Sequence, residues 1–302
     1  MVHPRPFRIG TRGSALALAQ TEQVLRKLRA LDPSLPLETV IIRTSGDRGH
    51  RETRGAFVKE LQHALLEGEI DLAVHSLKDL PTDPVPGLRL AAVLEREDPR
   101  DALIARNGWT WATLPPGARI GTGSPRRTAQ LRALRPDLVY LPLVGNVDTR
   151  LRRLDEGRYE AIVLAMAGLI RLGRADRATE VFPLEQLLPA PGQGAIALEI
   201  RADDERARMR VERLNHLPTW WAVMAERAFL RALGGGCRVP IAAHAEVRGD
   251  RLTLEGLVMA PDGSRGIRDR VEGPAEAAEA LGQALADRMQ AQDAWMLLET
   301  KG

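Results

Sequence analysis

Arg8-Ile9-Gly10-Thr11-Arg12-Gly13-Ser14 returns later in the chain as Arg119-Ile120-Gly121-Thr122-Gly123-Ser124. In both places a short apolar strand runs into a glycine-hydroxyl turn and then a helix. The first helix is expected from Ala15 to about Leu31, with Leu18, Leu25 and Leu28 on one stripe. The second opens on Pro125, a favoured first helical residue, and runs through Leu131 and Leu134. Ser14 and Ser124 stand where N-caps belong. A second echo keeps the same order: Glu67-Gly68-Glu69-Ile70-Asp71-Leu72-Ala73-Val74 against Glu156-Gly157-Arg158-Tyr159-Glu160-Ala161-Ile162-Val163. Each reads as a helix end, a glycine stop and a buried parallel strand. Chance could supply either echo alone; two in one order indicate two α/β domains of one design.

The first copy carries the longer insert. Its polar, glycine-punctuated stretch 44–55 reads as a long loop of the kind that serves as a lid. Phe57, Leu61, Ala64 and Leu65 then mark an amphipathic helix. Charge and proline interrupt the apolar pattern at Glu95-Arg96-Glu97-Asp98-Pro99-Arg100. After Leu188-Pro189-Ala190-Pro191-Gly192-Gln193-Gly194, the strand Ala195 to Ile200 is expected to return to the first domain, as in hinged two-lobe binding folds. From Thr219 the pattern changes to a helix through Trp220, Met224 and Leu230. Alternating segments follow at Ile241–Val247, Leu252–Val258 and Gly266–Val271, then a helix from about Pro274 to Leu298. The expected division is residues 1–95 with 195–213, residues 100–189, and a small α+β domain at 217–302.

At 302 residues the chain is too long for one ordinary core, and 44% hydrophobic with 27% charged residues describes a globular protein. No apolar run is long enough to span a bilayer, and Met1 to Phe7 shows no secretory h-region, so a cytoplasmic protein is expected. All but four of the 43 basic residues are arginine, yet net charge is only +3. That fits either a preference for arginine on the surface or paired recognition of many carboxylates or phosphates. Aromatic content of 4% argues against a nucleic-acid stacking platform. No Walker A or dinucleotide fingerprint is present. His3, His50, His63, His216 and His244 lack metal-ligand spacing, so no metal is expected.

Cys237, in Gly234-Gly235-Gly236-Cys237-Arg238-Val239-Pro240, is the single cysteine. It can form no intramolecular disulfide. It is either a small buried hydrophobe or the one site of thiol chemistry, on a backbone open enough for something bulky. His75-Ser76-Leu77-Lys78-Asp79-Leu80-Pro81 follows a strand directly, which sets a hydroxyl, an amine and a carboxylate at the ligand-binding edge of a parallel sheet. That carboxylate could hold a cation, accept a proton or bind an N–H donor; a plain polar turn would look alike. Thr11-Arg12-Gly13-Ser14 and Thr122-Gly123-Ser124-Pro125-Arg126-Arg127 each bring a hydroxyl and arginine to a helix N-terminus. Singly they are capped helix starts; as a pair facing across a cleft they could grip a polyanion. Arg150 and Arg171 could add grips or lie on the surface.

In fixed order these segments, with Phe57-Val58-Lys59-Glu60-Leu61, Glu95-Arg96-Glu97-Asp98-Pro99-Arg100-Asp101-Ala102 and Gly145-Asn146-Val147, make the chain resemble the porphobilinogen deaminase (hydroxymethylbilane synthase) family almost end to end. The resemblance implies an α/β fold of two type II periplasmic-binding-protein-like lobes with a hinge, plus a small α+β C-terminal domain. It implies a dipyrromethane cofactor on Cys237 through a thioether, one per chain. On this primer four porphobilinogen molecules condense to hydroxymethylbilane with release of ammonia, in tetrapyrrole (heme) biosynthesis. By the same resemblance Asp79 holds pyrrole N–H groups and assists proton transfer. Lys78, Ser76, Thr122, Ser124, Arg126, Arg127 and Arg150 contact the cofactor, and Arg12, Ser14, Phe57, Arg171 and Gln193 contact substrate. The implied partners are porphobilinogen and, transiently, uroporphyrinogen III synthase, with no nucleic acid or membrane; a monomer is expected.

The chain departs from the family pattern in three places. Val144 stands where an arginine is usual, Arg54 replaces a loop lysine, and the segment around His50 aligns poorly. A hinged anion-binding protein without catalysis would also explain the two helix-terminus sites. It would give no reason for Cys237 after three glycines or for Asp79 among basic groups.

Overall fold

The echoed strands begin alike because one ion pair is built twice. The computed structural model describes residues 5–43, 58–234 and 239–298. In it the Arg8 backbone N–H donates to Asp71 Oδ2 at 2.9 Å, its Nε donates to the same oxygen at 3.4 Å, and a terminal nitrogen donates to the Gly68 carbonyl. Arg119 repeats this with Glu160 Oε2, at 2.8 Å from the backbone and 2.9 Å from Nε, and with the Gly157 carbonyl at 2.9 Å. Gly68 and Gly157 have φ of 68° and 76°, the left-handed helix stop that glycine takes without a Cβ clash.

The strands in chain order are β1 (Phe7–Thr11), β2 (Leu37–Ile41), β3 (Leu72–Ser76), β4 (Leu88–Val93), β5 (Asp101–Ala105), β6 (Arg119–Gly121), β7 (Val139–Leu141), β8 (Ala161–Ala165), β9 (Glu180–Val181), β10 (Ile196–Arg201), β11 (Ile241–Arg248), β12 (Arg251–Met259) and β13 (Gly266–Pro274). The α-helices are α1 (Ala15–Leu31), α2 (Lys59–Leu66), α3 (Pro125–Leu134), α4 (Val147–Asp155), α5 (Met166–Arg171), α6 (Glu205–Val211), α7 (Leu217–Ala232) and α8 (Ala278–Gln290). The chain divides into a unit of 1–96 with 195–220 and a unit of 97–194 with 221–302.

The first unit holds a five-stranded sheet of order β2-β1-β3-β10-β4. β1 runs parallel to β2 and β3, whereas β10, arriving from far along the chain, is antiparallel to β3 and β4. Residues two apart share a face. Leu72 and Val74 pack with Val24, Leu25 and Leu28 of α1 on one side, and Ala73 packs with Leu61 and Leu65 of α2 on the other. Leu18 does not join that stripe; it is exposed, and Ala17 and Thr21 are buried instead. The 3.6-residue period sets Leu18 about a quarter turn from the centre of the buried face, at its edge.

The second unit repeats the order as β7-β6-β8-β5-β9, with β5 antiparallel to β8 and β9. These two sheets, matched in strand order, are the two α/β lobes of one design that the echoes predict. This unit also holds the antiparallel sheet β11-β12-β13. Phe229 of α7 and Leu285 and Met289 of α8 pack on its Leu252, Leu254 and Val258. The expected continuous helix from Pro274 to Leu298 is a shorter one. Pro274 still pairs with Arg251 at the end of β13, and Asp293, at φ 61°, breaks the chain after α8 before a 3-10 turn at Ala294–Leu297.

The two helices over this sheet meet at Gly282. A Cβ there would lie 2.3 Å from the Ala225 carbonyl oxygen and 2.7 Å from the Ala228 Cβ. Alanine gains about 1 kcal/mol of helix propensity over glycine, but the backbone contact cannot yield without moving a helix. We expect Gly282→Ala to lose about 1–3 kcal/mol net, read as a lower urea midpoint; an unchanged or raised midpoint contradicts the packing.

Candidate active site

In the first unit, β1 and β3 are parallel neighbours, so their C-terminal ends reach one sheet edge. Beyond β1, Arg12 and Ser14 are half-buried, and Ser14 Oγ accepts the Ala17 N–H at 3.3 Å as the cap of α1. Beyond β3, a 3-10 turn spans Leu77–Asp79. Leu77 is buried and its N–H donates to the Ala195 carbonyl at 3.0 Å, which pins the turn while Lys78 and Asp79 stay half-buried. Gln20 Nε2 of α1 donates to Ser76 Oγ at 2.9 Å. Under the turn, His75 Nε2 lies 3.0 Å from Glu199 Oε2, and Gln62 Nε2 donates to Glu199 Oε1 at 3.0 Å, all three buried. No motif in the sequence points to Glu199; it becomes visible only when β10 is laid beside β3.

In the second unit, β6 ends in the matching turn. Thr122 Oγ1 accepts the Ser124 N–H at 3.2 Å, and Ser124 Oγ accepts the Arg127 N–H at 3.4 Å. Arg126 and Arg127 are not surface grips: they are 4% and 5% exposed and close on Asp101, which is 0% exposed. Arg127 donates from Nε at 3.0 Å and a terminal nitrogen at 2.7 Å to Asp101 Oδ1, and its other terminal nitrogen donates to the Val163 carbonyl. Arg126 pairs with Asp101 Oδ2 at 2.8 Å and donates to the Leu188 carbonyl at 2.7 Å. Gln193 Nε2 donates to Asp101 Oδ1 at 2.9 Å and to the Pro99 carbonyl at 2.7 Å. The structure thus brings three of the expected site residues onto one carboxylate. Asp101 was quoted in the sequence only as part of a motif. An acid opening the apolar run Ala102-Leu103-Ile104 was the available signal, since a buried carboxylate requires cations.

Arg150 Nε donates to the Gly145 carbonyl at 2.8 Å, within its own turn. Arg171, at the end of α5, donates to the Gly194 carbonyl at 2.7 Å; burial lowers its pKa to about 10 against the pull of Glu97. Val144 is half-exposed, and the side chain donating to its carbonyl is Arg153. Cys237, Phe57, Arg54 and His50 lie outside the described residues.

Three side chains, two of them cationic, close on the Asp101 carboxylate, so burial alone does not decide its charge. Burial pushes its pKa up, but the Arg126 and Arg127 charges and the hydrogen bonds from Arg127 and Gln193 outweigh it and hold the group well below the usual carboxylate range. Because the folded value lies below the unfolded value of about 3.9, its stabilisation is complete above about pH 4 and is lost as pH falls toward the folded value. We expect Asp101→Asn to flatten the decline of unfolding free energy below about pH 4 by up to one proton, measured by urea unfolding across acid pH; an identical slope in both proteins contradicts the assignment.

A model described as the porphobilinogen deaminase dipyromethane cofactor binding domain matches residues 7–209, and one described as the porphobilinogen deaminase C-terminal domain matches residues 220–291. The porphobilinogen deaminase of Geobacter metallireducens is 48% identical over 301 residues, covering 98% of this chain and 94% of its own. That of Thermus thermophilus is 51% identical over 280 residues, covering 92% and 93%. Among solved structures, the methionine binding protein MetQ aligns at a TM-score of 0.47 and 13% identity over 70% of this chain and 90% of its own. With family models spanning nearly its whole length, the chain belongs to the porphobilinogen deaminase family.

Proposed function

We propose that the two C-terminal sheet edges serve the family's reaction, the stepwise condensation of four porphobilinogen molecules to hydroxymethylbilane with release of ammonia. The chain is a transferase of tetrapyrrole biosynthesis and uses a dipyrromethane cofactor. Bound dipyrromethane supplies the free pyrrole α-carbon from which the product is built. Each pyrrole carries an acetate and a propionate, so cofactor and substrate are polyanions. The observation that carries the reading is the orphaned donor beside Asp101. Arg126 Nε is buried without a hydrogen-bond partner among the described residues, although a buried unpaired N–H costs about 1–3 kcal/mol. A ligand carboxylate would satisfy it with a charge-assisted bond. Arg171 Nε is orphaned in the same way.

In this assignment Arg126, Arg127, Arg150, Lys78, Ser76, Thr122 and Ser124 hold the cofactor, and Cys237 carries it as a thioether. Arg12, Ser14, Phe57, Arg171 and Gln193 hold substrate. Asp79 accepts the substrate's pyrrole N–H and steadies the positive charge that grows there as the aminomethyl C–N bond breaks and ammonia leaves. After the new carbon–carbon bond forms, Asp79 assists loss of the proton from the attacking α-carbon. Its half-buried place on a pinned turn suits a carboxylate that must stay charged yet reach a ring. The pairing of β10 into the first sheet, and the separate core of the C-terminal sheet, support a division into residues 1–95 with 195–213, 100–189, and 217–302.

We further propose that the chain acts as a cytoplasmic monomer and passes its unstable product to uroporphyrinogen III synthase by transient contact. Among the described residues no helix is long and apolar enough to cross a membrane.

Asp79→Ala tests the chemistry. We expect circular dichroism and melting to match the parent while product formation from porphobilinogen falls by about 10²–10⁴-fold. Turnover within a few-fold of the parent removes Asp79 from the mechanism.

A further inference from the structure

We propose that Asp101 is a positioning residue for cofactor capture: with Gln193 braced on the same oxygen, it fixes the guanidinium planes of Arg126 and Arg127 as one array, so that the arginines' remaining N–H groups meet ligand carboxylates without rearranging. The proposal deepens the functional reading above and rests on it.

The geometry runs through one atom pair. Asp101 Oδ1 accepts from Arg127 Nε, an Arg127 terminal nitrogen and Gln193 Nε2, and Oδ2 faces Arg126. Asp101 opens β5, Arg126 and Arg127 open α3, and Gln193 lies in the turn before β10. No local contact in any one segment could hold these side chains in register. Backbone carbonyls fix the far side of each arginine: Leu188 for Arg126 and Val163 for Arg127. Gln130 joins the same frame, donating to the Leu188 carbonyl at 3.0 Å while its Oε1 accepts the Leu188 N–H at 2.8 Å. Each guanidinium has five N–H groups. Arg127 spends three on these partners; Arg126 spends one on the Leu188 carbonyl and sets another nitrogen 2.8 Å from Asp101 Oδ2, while its Nε is left buried and unpaired among the described residues. Long flexible side chains held this way lose their ordering cost before a ligand arrives. The carboxylate also offsets one of two adjacent buried positive charges, which would otherwise repel.

Asp101 touches no reacting atom in this account; it acts through the arginines. A double-mutant cycle separates that role from simple stability. The full-length chain, Asp101→Asn, Arg127→Met and the double variant are purified, and intact mass gives the fraction carrying the two-pyrrole adduct. We expect Asp101→Asn to lower the loaded-to-unloaded ratio roughly tenfold with circular dichroism unchanged, and the double variant to lose clearly less than the product of the two single losses. Full loading in Asp101→Asn, or losses that multiply in the double variant, overturns the proposal. Should Asp101→Asn fail to fold, side-chain NMR of the parent chain decides. The Arg127 Nε–H, assigned by its disappearance in Arg127→Lys, should exchange slowly with solvent; rapid exchange overturns the proposal. A parent chain with no adduct at all would sink the functional reading instead.

Discussion

A carboxylate with no solvent exposure, closed between two guanidinium groups, is the constraint on which the second lobe depends. Burying Asp101 alone would be prohibitive, and removing either arginine from such a cluster costs about 3–5 kcal/mol. The pair of arginines makes burial tolerable, and the burial makes the arginines immobile. β5, α3 and the 188–193 segment therefore have to meet at one point. The cluster keeps one net positive charge, which suits a site for acidic ligands, and it leaves donors over. In the proposed function, stability and recognition come from the same three side chains.

The first lobe solves the corresponding problem with other chemistry. Its Leu77–Asp79 turn is held from beneath by His75, Glu199 and Gln62 and from within by buried Leu77. Asp79 is left half-buried above this frame. One lobe thus presents a half-buried carboxylate on a pinned turn, and the other presents fixed cations. Both arise at the C-terminal edges of parallel strands that begin with the same arginine ion pair.

Much of this was legible in the chain itself. The two echoes marked β1 with β6 and β3 with β8 because each echo encodes a local necessity: an arginine for the acid at the foot of the neighbouring strand, and a glycine for a left-handed helix stop. Ser14 and Ser124 were readable as caps because capping is a matter of three residues. Asp101 and Glu199 were not readable. Their partners lie 25 to 137 residues away, and no periodicity links such positions before the sheet order is known. The arginine pair showed the opposite limit. Its chemistry was anticipated, but its burial was not, since sequence alone cannot tell a guanidinium in water from one locked on an aspartate.

The central claim is that this chain builds its product on a starter fixed to its single cysteine. The intact mass of the freshly purified chain tests it most directly. The account predicts a mass above that of the sequence by one two-pyrrole unit, and the bare sequence mass for Cys237→Ser. A parent chain at the bare sequence mass, or an adduct that survives Cys237→Ser, would contradict it.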